Sequence, residues 1–339
     1  MKLIVLVPLV LLRYSLRSTR PFTEWSLRVC VVRVLARELF DYWSETRSNG
    51  LTAVQEAHNN ATGRFSLAEV ADLSLYSGLL TPGPPSQETD LSHEKVILHF
   101  PGGAFVLAYG TDEIGKDIAS VMTQYLKATR TFLAQYRIST DNETRFPAAI
   151  QDLVTFYRYT LSLGLDPKNI ILSGDSAAGN LVIALLRYFE NLRSPELPLP
   201  GGAMLWSPWV HVTAEAGQEY TRCRNSENDV LTSSILQWGA DAYLPKENPA
   251  ADALSFISPL HHPFKTSVSI FINDGRSEAF FDSGKEFAQE MVEIHGNRIR
   301  FHATDLAPHN LLMAYKGLGM DHQMEVAARD ACKFFEQVD

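Results

Sequence analysis

The sequence predicts an α/β protein: a central, mostly parallel sheet flanked by helices, with a helical cap. Three observations lead there. From Lys95 onward, short apolar runs alternate with segments of helical periodicity, the pattern of a parallel sheet with crossover helices. Several of these runs stop at glycine, proline or small residues, as strands feeding tight turns do. One polar stretch, about 211–255, breaks the rhythm between two strands and reads as an inserted cap.

The elements follow in order. Leu3 to Leu12 is an unbroken apolar run of ten residues behind Lys2. It is shorter than the ~20 residues a membrane-spanning helix needs. A core or cap helix, a membrane anchor and a cleaved signal all fit it. Arg13, Arg17 and Arg20 come directly after it, without a small-x-small cleavage site, and basic residues so placed oppose translocation of the downstream chain. From Glu24 to Trp43 the apolar residues Trp25, Val29, Val32, Leu35, Leu39 and Tyr42 mark an amphipathic helix with its arginines on the other face. A polar stretch through Asn60 and a loop at Pro82–Pro85 complete an N-terminal segment, 1–80, distinct from a main domain over 81–339. Strands are expected at Lys95–Phe100, Thr131–Tyr136, Asn169–Leu172 (cut off by Gly174), Ala203–Trp206, Val268–Ile272 and Arg298–His302. Helices are expected at Phe146–Leu163, Leu181–Phe189, Phe280–Ile294 and Gln323–Val338.

Composition bounds the function. Over 339 residues, 45% are hydrophobic, enough for a large core, which excludes global disorder. The net charge of −9 argues against nucleic acid as a partner. Cys30, Cys223 and Cys332 are odd in number and far apart. They read as buried free thiols, neither a disulfide framework nor a zinc site, and favour a reducing, intracellular setting, cytoplasmic or associated with the endoplasmic reticulum. The sequons at Asn60 and Asn142 matter only to a secreted chain.

The chemistry concentrates at Ser173-Gly174-Asp175-Ser176-Ala177-Ala178-Gly179-Asn180. An apolar strand enters a tight turn of small residues and a helix leaves it, with Ser176 at the apex. That is the layout of a nucleophile elbow, although the last glycine of G-x-S-x-G is displaced from 178 to 179. Upstream, a strand runs into Pro101-Gly102-Gly103-Ala104-Phe105, whose bare backbone could supply oxyanion donors. Downstream an acid and then a histidine come after Ser176, the order of one particular hydrolase fold.

Taken together, these motifs resemble the hormone-sensitive-lipase branch of the α/β-hydrolases. Its H-G-G-G, Y-R-L and G-D-S-A-G-G-N-L are matched by Pro101–Phe105, Tyr136-Arg137-Ile138 and Gly174–Leu181. Ser207-Pro208-Trp209 and Ser258-Pro259 look most like the fungal steryl acetyl hydrolase-like members. The resemblance runs from about Val96 to the end. It implies Ser176 as nucleophile, Glu278 as acid (where the family carries Asp) and His309 as base. It implies backbone donors from the loop Gly102-Gly103-Ala104, with Gly103 and Ala104 foremost, and from Ala177. Asp274 and Asp282 are rivals for the acid, His302 for the base. His99 reads as a supporting core histidine. His261-His262 reads as a loop pair without a third ligand at metal spacing.

The expected reaction is hydrolysis of a carboxylic ester through an acyl-enzyme, without metal or cofactor. The expected substrate is a small hydrophobic ester: a short-chain or acetyl ester, or a lactone, of a hydrophobic alcohol or natural product. Phe105 and Trp209, with Trp25, Trp43 and Trp238, are candidate pocket walls. The apolar run 3–12 could hold the protein at a membrane. Two other readings use the same fold: a lyase or acyltransferase with the same triad, and a non-catalytic receptor such as the plant gibberellin receptors, which lack the histidine that His309 supplies here.

Overall fold

The computed structural model describes residues 2–50, 66–68, 78–108, 112–247 and 249–337. The sequon at Asn60 lies outside the described residues; Asn142 sits in an exposed turn. The chain order is α1 (Lys2–Tyr14), α2 (Leu27–Thr46), β1 (Ser66–Ala68), β2 (Gly78–Thr81), β3 (Val96–Phe100), α3 (Asp112–Leu126), β4 (Arg130–Ala134), α4 (Ala148–Ser162), β5 (Ile170–Asp175), α5 (Ala177–Leu192), β6 (Gly202–Trp206), α6 (Ala216–Arg222), α7 (Ser233–Tyr243), α8 (Ala251–Ile257), β7 (Ile270–Gly275), α9 (Phe281–Glu293), β8 (Ile299–Thr304), α10 (Leu311–Leu318) and α11 (Asp321–Glu336).

Among the described residues the strands form one sheet in the order β1-β2-β4-β3-β5-β6-β7-β8. The six from β4 to β8 are parallel, whereas β2 runs antiparallel to β4 and β1 antiparallel to β2. Strand side chains alternate between two cores. Leu98, Leu172, Leu205 and Ile272 join α4, α5, the cap and α9 on one face. Ile97, Ile171, Met204 and Phe271 join α1, α3, α10 and α11 on the other. Burial on both faces is why these strands are continuous apolar runs without polar alternation.

Several expectations change. The strand before the elbow does not stop short of Gly174; it continues to Asp175. A boundary at 80/81 would cut β2, which pairs with β4 in the main sheet. Helix α3 is absent from the expectations, yet a parallel step from β3 to β4 requires a crossover of this kind. The N-terminal apolar run forms α1, which packs Val10 and Tyr14 inward. The largest correction concerns α2. Arg33 is buried and Arg37 half-buried, while Leu39 and Tyr42 are exposed. Both arginines point inward because they bond backbone carbonyls of the cap: Arg33 that of Glu227, Arg37 those of Ser226 at 2.9 Å and Leu231 at 2.6 Å. All three cysteines are free.

Candidate active site

Strand β5 delivers Ser176 to the carboxyl edge of the sheet, and α5 begins at the next residue. Ser176 has φ 53° and ψ −121°. Such a conformation costs a non-glycine residue roughly 1–3 kcal/mol and persists only where the surroundings impose it. Close packing does so here. A Cβ on Gly174 would lie 2.5 Å from the Ala178 carbonyl oxygen, and one on Gly179 2.8 Å from Pro208 Cβ. The approach to Pro208 therefore needs glycine at 179, which accounts for the displaced last glycine of the motif.

His309 precedes α10 in the loop after β8. Its Nε2 lies 2.9 Å from Ser176 Oγ and its Nδ1 3.0 Å from Glu278 Oε2. Glu278 Oε1 accepts from the Gly275 N–H at 3.0 Å. All three residues are buried. Burial alone would lower the His309 pKa; the hydrogen bond and charge of Glu278, with the charges of Asp229 and Asp175, outweigh it and raise it above 6.5. Burial raises the Glu278 pKa, and the bond to His309 opposes that. The rivals fall away by position. Asp282 is exposed. His302 is 2.9 Å from Asp330. Asp274 is buried on β7, and neither carboxylate oxygen has a hydrogen-bond partner among the described residues.

The expected oxyanion loop needs one correction. The Gly102 N–H is already committed to Asp175 Oδ2 at 3.0 Å, so Gly102 cannot serve as a donor to substrate. Its contribution is the absence of a side chain: a Cβ there would lie 2.4 Å from Asp175 Oδ2 and 2.9 Å from Ser176 Cβ. Gly103, Ala104 and Phe105 come next with φ of 127°, 50° and 64°, a tight turn of left-handed backbone. Gly103 and Ala104 line the same cavity as Ser176, and Ala177 comes directly after Ser176 at the start of α5. Asp175, quoted in the motif without a role, ties the site together. It accepts from Gly102 N–H, from Asn310 Nδ2 at 2.5 Å, and sits 3.1 Å from His99 Nε2. His99 is thus the supporting residue expected.

With this geometry in place, comparison with known proteins becomes specific. Residues 97–313, well over half of the chain, match the family described as alpha/beta hydrolase fold. The chain is an α/β-hydrolase. It is 28% identical over 199 residues to an acetyl-hydrolase of Streptomyces hygroscopicus, covering 59% of this chain and 62% of that protein. It is 28% identical over 208 residues to an esterase of Acinetobacter venetianus, covering 60% and 65%. The matched region is thus less than two thirds of either relative's length. A shorter stretch of 114 residues is 32% identical to neutral cholesterol ester hydrolase 1 of Bos taurus, covering 32% of this chain and 27% of that protein. The fold resembles the crystal structure of an esterase from the bacterial hormone-sensitive lipase family, with a TM-score of 0.64, 22% identity and 98% of each chain covered.

The hydrolase carries an apolar cavity of about 140 Å³ beside Ser176 and His309. Its walls come from four places: Val32, Ala36 and Phe40 of α2; Gly103, Ala104 and Leu107 of the loop after β3; Val230, Leu231, Ile235 and Leu236 of the cap; and Met313, Ala314 and Leu318 of α10. The expected aromatic walls are elsewhere. Phe105 is buried and stacks on Tyr243 at 3.8 Å and on Trp209 at 5.5 Å. Trp209 stacks in turn on Phe280, whose ring is perpendicular to that of His309 with centroids 5.1 Å apart. These rings pack against one another beside the loops that carry Ser176 and His309. Trp25 is buried with its Nε1 on the Leu306 carbonyl, and Arg47 lies over Trp238. Trp43 packs against the cap-side core.

Away from the site, Glu286 and Glu290 do come within ligand distance of His261, contrary to the expectation of a loop pair without a third ligand. The cluster is exposed or half-buried, and His261 already bonds Glu290 at 2.8 Å. Two residues that bond the backbone around Glu278 and His309 escape sequence reasoning entirely: Asn225 and Asp229, in the cap. Both sit in a polar run, Arg224-Asn225-Ser226-Glu227-Asn228-Asp229, where nothing local separates them from a solvated loop.

Proposed function

We propose that this α/β-hydrolase cleaves carboxylic esters through an acyl-enzyme on Ser176. The observation that carries the reading is the unbroken chain Ser176–His309–Glu278 at 2.9 and 3.0 Å, set on a strained elbow beside an apolar cavity. In the reaction His309 Nε2 takes the Ser176 proton as Oγ attacks the ester carbonyl. Glu278 holds the imidazole in the required tautomer and stabilises its cation. The N–H groups of Gly103, Ala104 and Ala177 receive the oxyanion. His309 then protonates the leaving alcohol, and water repeats the sequence on the acyl-enzyme.

The substrate we propose is a short-chain or acetyl ester, or a lactone, of a hydrophobic alcohol or natural product. The apolar walls of α2, the cap and α10 support it: they solvate hydrocarbon and offer few polar groups to anything else. The activities for which the acetyl-hydrolase, esterase and cholesterol ester hydrolase relatives are named point the same way. Among hormone-sensitive-lipase-like members we favour the fungal steryl acetyl hydrolase type, on Ser207-Pro208-Trp209 and Ser258-Pro259. We also propose that α1 seats the protein peripherally on a membrane inside the cell. Val10 and Tyr14 turn inward, leaving Leu9, Leu12 and Leu16 exposed beside Arg13 and Arg17, an apolar and cationic face suited to anionic lipid. Among the described residues no helix is long and apolar enough to cross a membrane.

Fluorophosphonate labelling read by intact mass and peptide mapping tests the catalytic reading. One adduct on Ser176, absent in Ser176→Ala, is expected, followed by turnover on an acyl-chain-length panel. A folded protein that takes no adduct overturns it. Substrate dehydration without a serine adduct, or transfer to an alcohol in preference to water, makes it a lyase or acyltransferase.

A further inference from the structure

We propose that Asp229, in the cap, is a positioning residue of the triad, so that the cap helps assemble the catalytic loops as well as covering the cavity. The inference rests on the triad reading above. Asp229 is fully buried and lies between α6 and α7, 50 residues before Ala279 and 80 before His309. Its Oδ1 accepts from the backbone N–H of His309 at 2.8 Å and of Val230 at 2.8 Å. Its Oδ2 accepts from the backbone N–H of Ala279 at 2.9 Å. One carboxylate thus grips the base itself and the residue after the acid.

Asn225 adds a second tie. Its Nδ2 donates to the carbonyls of Arg276 at 2.9 Å and Glu278 at 3.0 Å. The loop bearing both residues is anchored from the opposite side by Arg37 of α2, whose Nη1 reaches the carbonyls of Ser226 and Leu231, with Asp229's own carbonyl at 3.1 Å. Tyr220 of α6 bonds the Ser226 and Leu231 carbonyls through its hydroxyl. The chain of contacts runs from α2 through the cap loop to both catalytic loops. Every link is a hydrogen bond of a buried or half-buried group, where an unmatched partner is costly.

Asp229 also acts by charge. The ionisable groups facing His309 are Glu278, Asp229 and Asp175, with Asp274 behind Glu278 and Arg37 beyond the Asp229 backbone. A carboxylate at 229 favours the imidazolium that forms as Ser176 attacks.

The test uses the full chain and a fluorophosphonate probe, with labelling rates measured from pH 5 to 9. In Asp229→Asn the amide can still accept from His309 N–H, but its NH₂ must face the Ala279 N–H, donor against donor, and the charge is gone. The labelling rate is expected to fall about 100-fold at neutral pH, the order of loss that an ångström of misplacement brings. The midpoint of its pH dependence is expected to move to lower pH, and ester turnover to lose kcat with KM little changed. Asn225→Ala removes the second tie without removing charge. It is expected to slow labelling with the midpoint unmoved, and it serves as the test if Asp229→Asn does not fold. A folded Asp229→Asn with the unaltered rate, or with a slower rate and an unmoved midpoint, overturns the proposal. So does an unfolded Asp229→Asn together with an Asn225→Ala of unaltered rate. If the unaltered chain takes no label, the catalytic reading itself has failed and this inference falls with it.

Discussion

The tightest quantitative consequence of the site is at Gly102. A methyl group there would lie 2.4 Å from Asp175 Oδ2, 2.7 Å from the Asp175 carbonyl oxygen and 2.9 Å from Ser176 Cβ. Only the first of these is a side-chain tip, and it is held by Gly102 N–H and Asn310, while His99 lies 3.1 Å from the other oxygen of the same carboxylate. The other two belong to the strained elbow. Relief in Gly102→Ala must therefore come from the loop, which has to retreat by a large fraction of an ångström. The next two residues, Gly103 and Ala104, are the donors assigned to the oxyanion and move with it. Such donors act at 2.7–3.1 Å, and losing one costs about 10²–10³ in kcat, or ~3–4 kcal/mol of barrier. Crowding adds roughly 1–3 kcal/mol of destabilisation, a few degrees in Tm for a chain of this size. Initial rates on p-nitrophenyl acetate and butyrate, normalised to folded protein by a thermal melt, measure both effects. A folded Gly102→Ala with kcat within threefold of the unaltered protein would falsify the oxyanion assignment of this loop.

Other consequences come from the same geometry. Glu278→Gln can keep the contact with the Gly275 N–H but leaves His309 without its anion, so kcat is expected to fall by about 10⁴ with KM little changed; a loss below tenfold would make Glu278 dispensable. The base must be neutral to accept a proton, and Glu278, Asp229 and Asp175 together raise His309 above 6.5 against the effect of burial. The acidic limb of kcat/KM should therefore have its midpoint above pH 6.5, and a midpoint below that contradicts the assignment. Burial, and then the charge of Glu278, push the Asp274 carboxyl well above its usual 3.8. The native state thus keeps a proton that the unfolded chain has lost, and the associated stability is present below about pH 3.8 and fades as pH rises through the native pKa. The Tm of Asp274→Asn relative to the unaltered protein should accordingly increase from pH 4 to pH 8; a constant difference would show that Asp274 is ionised in the native state as in the unfolded chain, with no raised pKa. Finally, replacing Leu9, Leu12 and Leu16 together by Glu should abolish co-sedimentation with vesicles containing phosphatidylserine while leaving ester turnover intact. Equal sedimentation of both proteins would dismiss α1 as a lipid contact.

The features legible in the sequence are those encoded locally. The parallel strands announce themselves because burial on both faces makes them continuous apolar runs, as in Val96–Phe100 and Ile170–Leu172. Ser176 is legible because a sharp turn needs small neighbours, and His309 because it comes after a core strand in a Pro-His-Asn loop. Two assignments fail for a shared reason. Whether Gly102 is a donor depends on Asp175, 73 residues away. Whether Phe105 or Trp209 meets substrate depends on rings from Tyr243 and Phe280 that cover them. Residue type predicts the capacity in each case; occupation of that capacity by another residue is a fact of three dimensions.

The arginines of α2 carry this reasoning further. A helical wheel puts charge outward because solvation of an exposed guanidinium is the cheaper default. Arg33 and Arg37 reverse it because the facing cap loop, 226–231, turns bare carbonyls toward them, and a guanidinium with its fork of donors satisfies several at once. Two side chains at this end of the cap reach the other way, to the loops that carry Glu278 and His309: Asp229 to His309 and Ala279, Asn225 to Arg276 and Glu278. The same α2 lines the cavity through Val32, Ala36 and Phe40. Changes in α2 are therefore expected to affect substrate fit and triad geometry together. Arg37→Met provides the separation: it leaves the cavity wall untouched, so a fall in kcat at constant chain-length preference is the expected result. A changed preference at constant kcat would mean that α2 acts on the substrate alone.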